Sequence, residues 1–548
     1  DAAPAASTKA EATRMVAATA AVVATEVPEA IKPDKFGGHL KVVSQSSISS
    51  IDRDFSNAYV SAASSMHITE GLFKLDRDFV SQPEVAESWE LSTDGKTYTF
   101  ILRNDRVFHN SDRVVTTDDV IPSMRRWIIR HPGGKALQNF IAKAEDTENE
   151  NGLYDKNSDP GFDKAFEKVD DRTFKLHVTE PYGSVVSHFG LLRQGPLIWP
   201  GEIAKLSPSE DVGEDNIIGS GPYRLDKWTR GDRLTYARHE GYIARDEPIS
   251  NYAGAQTPYL DKLSMVEVPD EETKMAGLKT GEWHFVDGAS LDNYAPSVEN
   301  PDLEVALDIP GKASNIIMVH GQPWIDNLKF RLAVQASLDV GAFMSALGPS
   351  DAWMLCPALF HCEAPLETDV GSEYYNQNDP ELAKKLLAES GYDGSPIIIL
   401  NTTDYATITP LGPVFVETMK GIGVNIQMPA NDWATVVSKF RLDGHHFISS
   451  WNGFYGVHDP LLDGVMQGTS PAARYQNKEV QQLALDYAYA QSFEEQLKIA
   501  EDIQLILYED AWRVNLGQFF ALFPYRKEVK GFTEIRGMPN YAGVWLEE

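Results

Sequence analysis

Around Ile309-Pro-Gly-Lys-Ala-Ser-Asn-Ile-Ile-Met318 the patterning of the chain changes, and the residues beyond it read helix, loop, helix, strand, helix, strand. That alternation is the composition of an α/β lobe. At 548 residues the chain also exceeds the size at which one hydrophobic core keeps growing. Two or more lobes are therefore expected, with a boundary near residue 310. From Phe519 to Glu548 the sequence turns β-rich again.

Local signals fill in both parts. Gly37-Gly-His-Leu-Lys-Val-Val-Ser44 reads as a strand led by glycine. Tyr98, Phe100 and Leu102 alternate with Thr97, Thr99 and Ile101, and Asp94-Gly95 marks a hairpin turn. Thr116-Thr-Asp-Asp119 offers a cap to a helix over Val120 to Arg130, with Pro122 in its first turn. Residues 143–163 are polar and acidic and read as a surface excursion. Strands are expected at Thr173 to Val178 and Tyr223 to Ala237, and a helix at Pro269 to Leu278. In the second part, Arg331 to Leu347 reads as one helix and Asp379 to Ser390 as another, stopped by Gly391. Ile397 to Asn401, Val424 to Met428 and Phe447 to Trp451 read as strands, Gly412 to Gly421 as a helix, and Lys478 to Tyr508 as two helices interrupted near Ser492.

A net charge of −31 repels polyanions, so no nucleic-acid partner is expected, nor an anionic membrane surface. The two cysteines lie within Cys356-Pro-Ala-Leu-Phe-His-Cys362, where an even count in an exported protein favours a disulfide. A metal site with His361 as third ligand is the alternative, although zinc wants four ligands. No run approaches the length of a spanning helix. The sequence opens without a methionine or a signal-like segment, as a processed or a trimmed chain would. Asp1 to Lys35, rich in Ala, Thr, Val, Pro and Glu, looks like a tether.

Ile68-Thr-Glu-Gly-Leu72, Pro83-Glu-Val-Ala-Glu-Ser-Trp89, Thr93-Asp-Gly-Lys-Thr-Tyr-Thr-Phe100 and Asp118-Asp-Val120 form a block in the first third. Read with Gly219-Ser-Gly-Pro-Tyr223, Pro258-Tyr-Leu-Asp261, Ile325-Asp-Asn-Leu-Lys-Phe-Arg-Leu-Ala-Val334 and Tyr525-Arg-Lys-Glu-Val-Lys-Gly531, it resembles the peptide/nickel class of solute-binding proteins that feed ABC importers. The resemblance runs from about Gly38 to Glu548. It implies an α/β, two-lobed periplasmic-binding-protein-like fold (type II, large class with an extra subdomain in lobe one), with a ligand cleft between lobes and closure by hinge motion. The expected organisation is a tether over 1–36, lobe one over 37–310 with an inserted subdomain at about 86–200, lobe two over 311–516, and a return to lobe one over 517–548. The chain would then cross between lobes twice, near 309 to 314 and near 514 to 520. The resemblance further implies an extracytoplasmic monomer, either tethered through an acylated cysteine upstream of Asp1 or plainly periplasmic, with ABC permease subunits as partners and no cofactor or metal.

Most of the matched blocks are scaffold, and Trp89 reads as a core filler. The leading candidate for ligand contact is Trp451-Asn-Gly-Phe-Tyr-Gly-Val-His-Asp-Pro460, whose glycines let a loop approach a ligand closely. There Trp451 and Tyr455 suit stacking, Asn452 hydrogen bonding, and His458 or Asp459 polarity; the alternative is a core-facing aromatic loop. Peptide-binding relatives place a carboxylate where this chain has Phe454, and dipeptide-binding relatives an arginine where the loop reads Thr402-Thr-Asp-Tyr-Ala-Thr-Ile-Thr-Pro410. A short zwitterionic peptide gripped at both ends is therefore disfavoured. Asp404 and Tyr405 come from that loop, with Asp404 either receiving a cation or holding a solvated turn. Trp353, Met354, Asn57 and Tyr59 are further candidates, and the resemblance turns Gln518 and Phe519 toward the cleft.

No Gly-x-Ser-x-Gly elbow, His-Glu-x-x-His pair or phosphate-binding Gly-x-x-x-x-Gly-Lys-Ser/Thr loop occurs, and a two-carboxylate glycosidase has no positive support. The expectation is a binder, not an enzyme. Its ligand is read as a peptide-like solute without the usual charged-end anchors, ahead of an oligosaccharide and a metal chelate.

Overall fold

Alternating burial along Gly37 to Ser44 produces the strand His39–Val43. In the computed structural model this strand is the centre of a seven-stranded sheet, ordered Leu303–Leu307, Leu522–Arg526, Phe285–Val286, His39–Val43, Lys262–Val266, Arg233–Arg238 and Tyr223–Thr229. The described residues are 35–44, 46–56, 58–111, 113–138, 140–141, 165–206, 210–453, 459–532 and 535–547. The tether up to residue 34 and the excursion at 143–163 lie outside them. Leu40, Val42, Tyr236, Leu263 and Phe523 bury one face of this sheet.

A second seven-stranded sheet is built from Trp353–Met354, Arg513–Phe519, Lys312–Met318, Phe447–Gly453, Ile397–Thr402 and Ile426–Gln427, with Ala430–Asn431 paired to Ile397–Thr402. Ile316, Met318, Ile399, Phe447, Val514 and Leu516 form its core with Phe330, Val334, Phe343 and Phe415 from the covering helices. The molecule is thus two-lobed, one large sheet to each lobe. Two short crossovers join the lobes, one between Leu307 and Lys312 and one between Phe519 and Leu522. They run side by side, with the Asp308 N–H donating to the Ala521 carbonyl at 3.1 Å. Gly311 is required there: its φ is +81°, and a Cβ would lie 2.4 Å from the Phe519 carbonyl oxygen.

A smaller four-stranded sheet, Ala86–Leu91, Thr97–Leu102, Thr173–His177 and Phe166–Lys168, carries the expected Asp94-Gly95 hairpin. It does not pack alone. Tyr98, Phe100, Phe174 and Leu176 share one core with Tyr487, Ile503, Leu507 and Tyr508 of the helices Lys478–Tyr489 and Phe493–Glu509. The Gly183 N–H donates to the Ala488 carbonyl at 3.1 Å, and a Cβ on Gly183 would approach the Ala490 oxygen to 2.3 Å. Nearby, His188 Nε2 lies 2.9 Å from Asp459 Oδ2 and the Tyr182 hydroxyl 2.9 Å from His188 Nδ1, all three residues buried.

Four local expectations are corrected. Arg331 to Leu347 is two helices, Leu328–Ala336 and Val340–Leu347, because Asp339 is extended and its carboxylate accepts the Ala342 N–H, starting a new helix. Trp89 is 37% exposed: it lies on the edge strand Ala86–Leu91 and stacks on Tyr98 from outside. Val424 to Met428 keeps only Ile426–Gln427 as strand. Tyr223 to Ala237 is a hairpin, turning at Gly231 with φ +74°.

The helix Thr117–Arg130 starts in a capping box between Thr116 and Asp119. Its Arg126 is fully buried, with Nη2 2.6 Å from Asp52 and Nε 3.0 Å from Asp54, while Trp199 Nε1 donates to Asp54 at 3.1 Å.

Cys356 and Cys362 are joined, with Cα atoms 5.8 Å apart. Replacing both with serine frees a short loop in the unfolded chain. The expected loss is about 2 kcal/mol, read as a lower urea midpoint.

Candidate functional site

Where the crossovers leave one sheet and enter the other, a set of side chains from both lobes converges. In the second sheet, Lys312–Met318 pairs with Phe447–Gly453 so that Ser314 faces Trp451 and Lys312 faces Gly453. The period of two puts Lys312 and Trp451 on one face. The Lys312 ammonium sits 4.9 Å from the Trp451 ring centre and 6.0 Å from that of Phe519. Tyr405 lies 6.3 Å from Trp451 and 5.2 Å from Trp433, which extends a partly exposed aromatic wall.

The first lobe supplies acids at strand ends. Asp287 follows Phe285–Val286 and accepts the Tyr59 hydroxyl at 2.8 Å. Asp308 follows Leu303–Leu307 and accepts the Gly537 N–H at 2.7 Å. Burial pushes the Asp287 carboxyl up to about 7, against the pull of Tyr59 and of the Lys312 and Lys274 charges. Burial likewise pushes Asp308 up to about 6. It lowers Lys312, while Asp308 and Asp287 oppose that change and Arg193 reinforces it. This exchange of charge effects marks the group as one electrostatic unit across the seam.

Other expected site residues are distributed differently. Asn57, Phe454, Tyr455 and His458 lie outside the described residues, and Asn452 is placed only as a strand residue opposite Ala313. Gln518 is corrected from cleft-facing to structural. It is fully buried, accepting the Cys362 N–H at 2.7 Å and donating to the Pro310 carbonyl at 2.6 Å, which ties the disulfide loop to the crossover. Phe519 is buried in the core of the second lobe, edge-on to Trp451. Asp404 caps its own turn, accepting the Thr402 hydroxyl at 2.5 Å and the Trp433 N–H at 2.8 Å. Asp459 starts the turn Pro460–Leu462 and is consumed by the His188 contact. Trp353 and Met354 pair with Phe519 and Gln518, and the Trp353 indole donates to the Gly348 carbonyl.

Sequence reasoning missed Lys312, Asp287 and Asp308. Their only signal was a charged residue where a strand begins or ends beside glycine or proline, which becomes meaningful once the topology brings those ends together.

Asp287 makes a pH prediction. Its folded value of about 7 exceeds the ordinary 3.8, so the folded chain holds a proton that the unfolded chain releases. Stability from this group is greatest below the ordinary value and falls as pH rises toward the folded one. Asp287→Asn keeps an acceptor for Tyr59 and removes the ionisation. The variant is expected to melt higher than the parent at pH 8 and equally at pH 4, a comparison made by calorimetry across pH.

Two sheets joined by paired crossovers, with aromatics of one lobe and charges of both meeting beside them, define a two-lobed binding protein. The family model of bacterial extracellular solute-binding proteins, family 5 (middle), matches residues 81–472. The chain belongs to that family, which is made up of binding proteins exported from the cytoplasm. It is 28% identical over 500 residues to a probable peptide ABC transporter periplasmic-binding protein, y4tO, of Sinorhizobium fredii, covering 88% of this chain and 89% of the relative. It is 25% identical over 495 residues to heme-binding protein A of Haemophilus influenzae, covering 85% and 84%. Among solved structures, the periplasmic binding protein DppA of Helicobacter pylori, in complex with the peptide STSA, superposes with a TM-score of 0.72 at 20% identity over 94% of this chain and 99% of that one.

Proposed function

We propose that this chain captures a peptide-like solute in the seam between its lobes, closes over it, and delivers it to the permease subunits of an ABC importer without chemical turnover. The observation carrying this reading is the convergence of Trp451, Tyr405 and Lys312 with Tyr59 and Asp287 at the point where the chain crosses between lobes. Aromatic walls accept flat amide and side-chain surfaces, and a few polar groups fix orientation. Closure is driven by a solute that contacts both lobes only when they are together.

A thermal-shift screen of peptides, oligosaccharides and metal chelates, with native mass spectrometry, tests the reading. Saturable stabilisation by peptides with unchanged peptide mass is the expected result. Stabilisation by oligosaccharides or chelates alone, or conversion of the peptide, overturns it.

A further inference from the structure

We propose that Lys312 is the specificity-determining residue of the seam and that it selects a solute bearing an acid group. This rests on the reading of the seam as the binding site. Lys312 is the first residue of the strand Lys312–Met318, directly after the crossover, so its stem is fixed by the sheet while its head lies at the lobe boundary. The ammonium has three donors to satisfy. Among the described residues it has no ion pair or hydrogen bond, only the faces of Trp451 and Phe519.

Aromatic faces attract a cation but accept no conventional hydrogen bond from it. The two acids that act on Lys312 are already engaged: Asp287 accepts the Tyr59 hydroxyl and Asp308 the Gly537 N–H. Neither reaches the ammonium as a hydrogen-bonded partner. A second cation, Arg193, comes from the loop beyond the helix Val185–Phe189, and its charge also acts on Lys312. The other loop on this side, residues 402–410, contributes no lysine or arginine. A partly buried ammonium held over an indole and backed by an arginine is the arrangement that receives a carboxylate. Since the chain as a whole carries −31, an anionic solute gains nothing from the general surface and depends on the Lys312 ammonium itself.

The test uses the full chain and a panel of peptides of two to five residues, each as the free acid and as the carboxamide, titrated by calorimetry. The free acid is expected to bind roughly tenfold or more tightly than its amide, the effect of one charge-assisted contact. Lys312→Met should bring the acid down to the affinity of the amide, while Lys312→Arg should keep the preference. Equal binding of acid and amide to the parent, a comparison that needs no variant, overturns the inference and leaves the peptide reading intact. Persistence of the preference in Lys312→Met overturns the assignment of Lys312. Failure of every peptide in either form overturns both the inference and the reading beneath it.

Discussion

Replacing Arg126 with methionine is expected to lower the unfolding free energy by about 3–5 kcal/mol at neutral pH, the cost of stranding buried charges. Arg126 is fully buried and lies against both Asp52 and Asp54. Even with it in place, burial and the neighbouring Asp54 raise Asp52 to about 6, and burial raises Asp54 as well. Without the guanidinium both acids must fold protonated. They release protons only in the unfolded chain, so the defect grows as pH rises from the ordinary carboxylate range. Chemical denaturation at pH 5 and pH 8 should therefore show a larger loss at pH 8. Adding Asp52→Asn and Asp54→Asn to Arg126→Met should recover much of it. An equal loss at both pH values would mean that packing, not charge, is what Arg126 provides.

Trp451→Ala is expected to weaken binding of the peptide that gives the largest thermal shift by about 2 kcal/mol or more, roughly thirtyfold. The indole borders Tyr405, Phe519 and the Lys312 ammonium, so its loss removes the wall and the cation's support together. Trp451→Phe retains a flat apolar face and should lose less. Calorimetric titration of both variants, checked against their melting temperatures, separates this from unfolding. Parent-like affinity in Trp451→Ala would move the solute elsewhere.

Much of the scaffold was legible because its signals are local. The Asp94-Gly95 turn, the Asp379 cap with its Gly391 stop, and the break before Phe493 each depend on residues within a few positions. The family resemblance supplied the two-lobed plan in the same way, as ordered blocks. What stayed hidden depends on distant partners. Asp339 reads as one more position on a long helix until its carboxylate is seen capping a second one. Trp89 reads as a core residue until its strand is found at a sheet edge. Gln518 stands where the resemblance expects a ligand contact, yet the backbone of Pro310 and Cys362 uses its carboxamide. Lys312 pairs in space with Phe519, and a sequence shows no such pairing across two hundred positions.

The core shared by the four-stranded sheet and the helices Lys478–Tyr489 and Phe493–Glu509 restricts how the molecule can move. Two antiparallel backbone segments make a pivot with several degrees of freedom. A third attachment, made of packed side chains and the Gly183–Ala488 backbone hydrogen bond and closed by Tyr182, His188 and Asp459, leaves far fewer. While that attachment holds, the second sheet can turn only about a line through it and the crossovers. The axis of rotation is then set by packing outside the Lys312–Trp451 cluster, and changes at Gly183 or Ala488 are expected to alter closure while leaving that cluster intact.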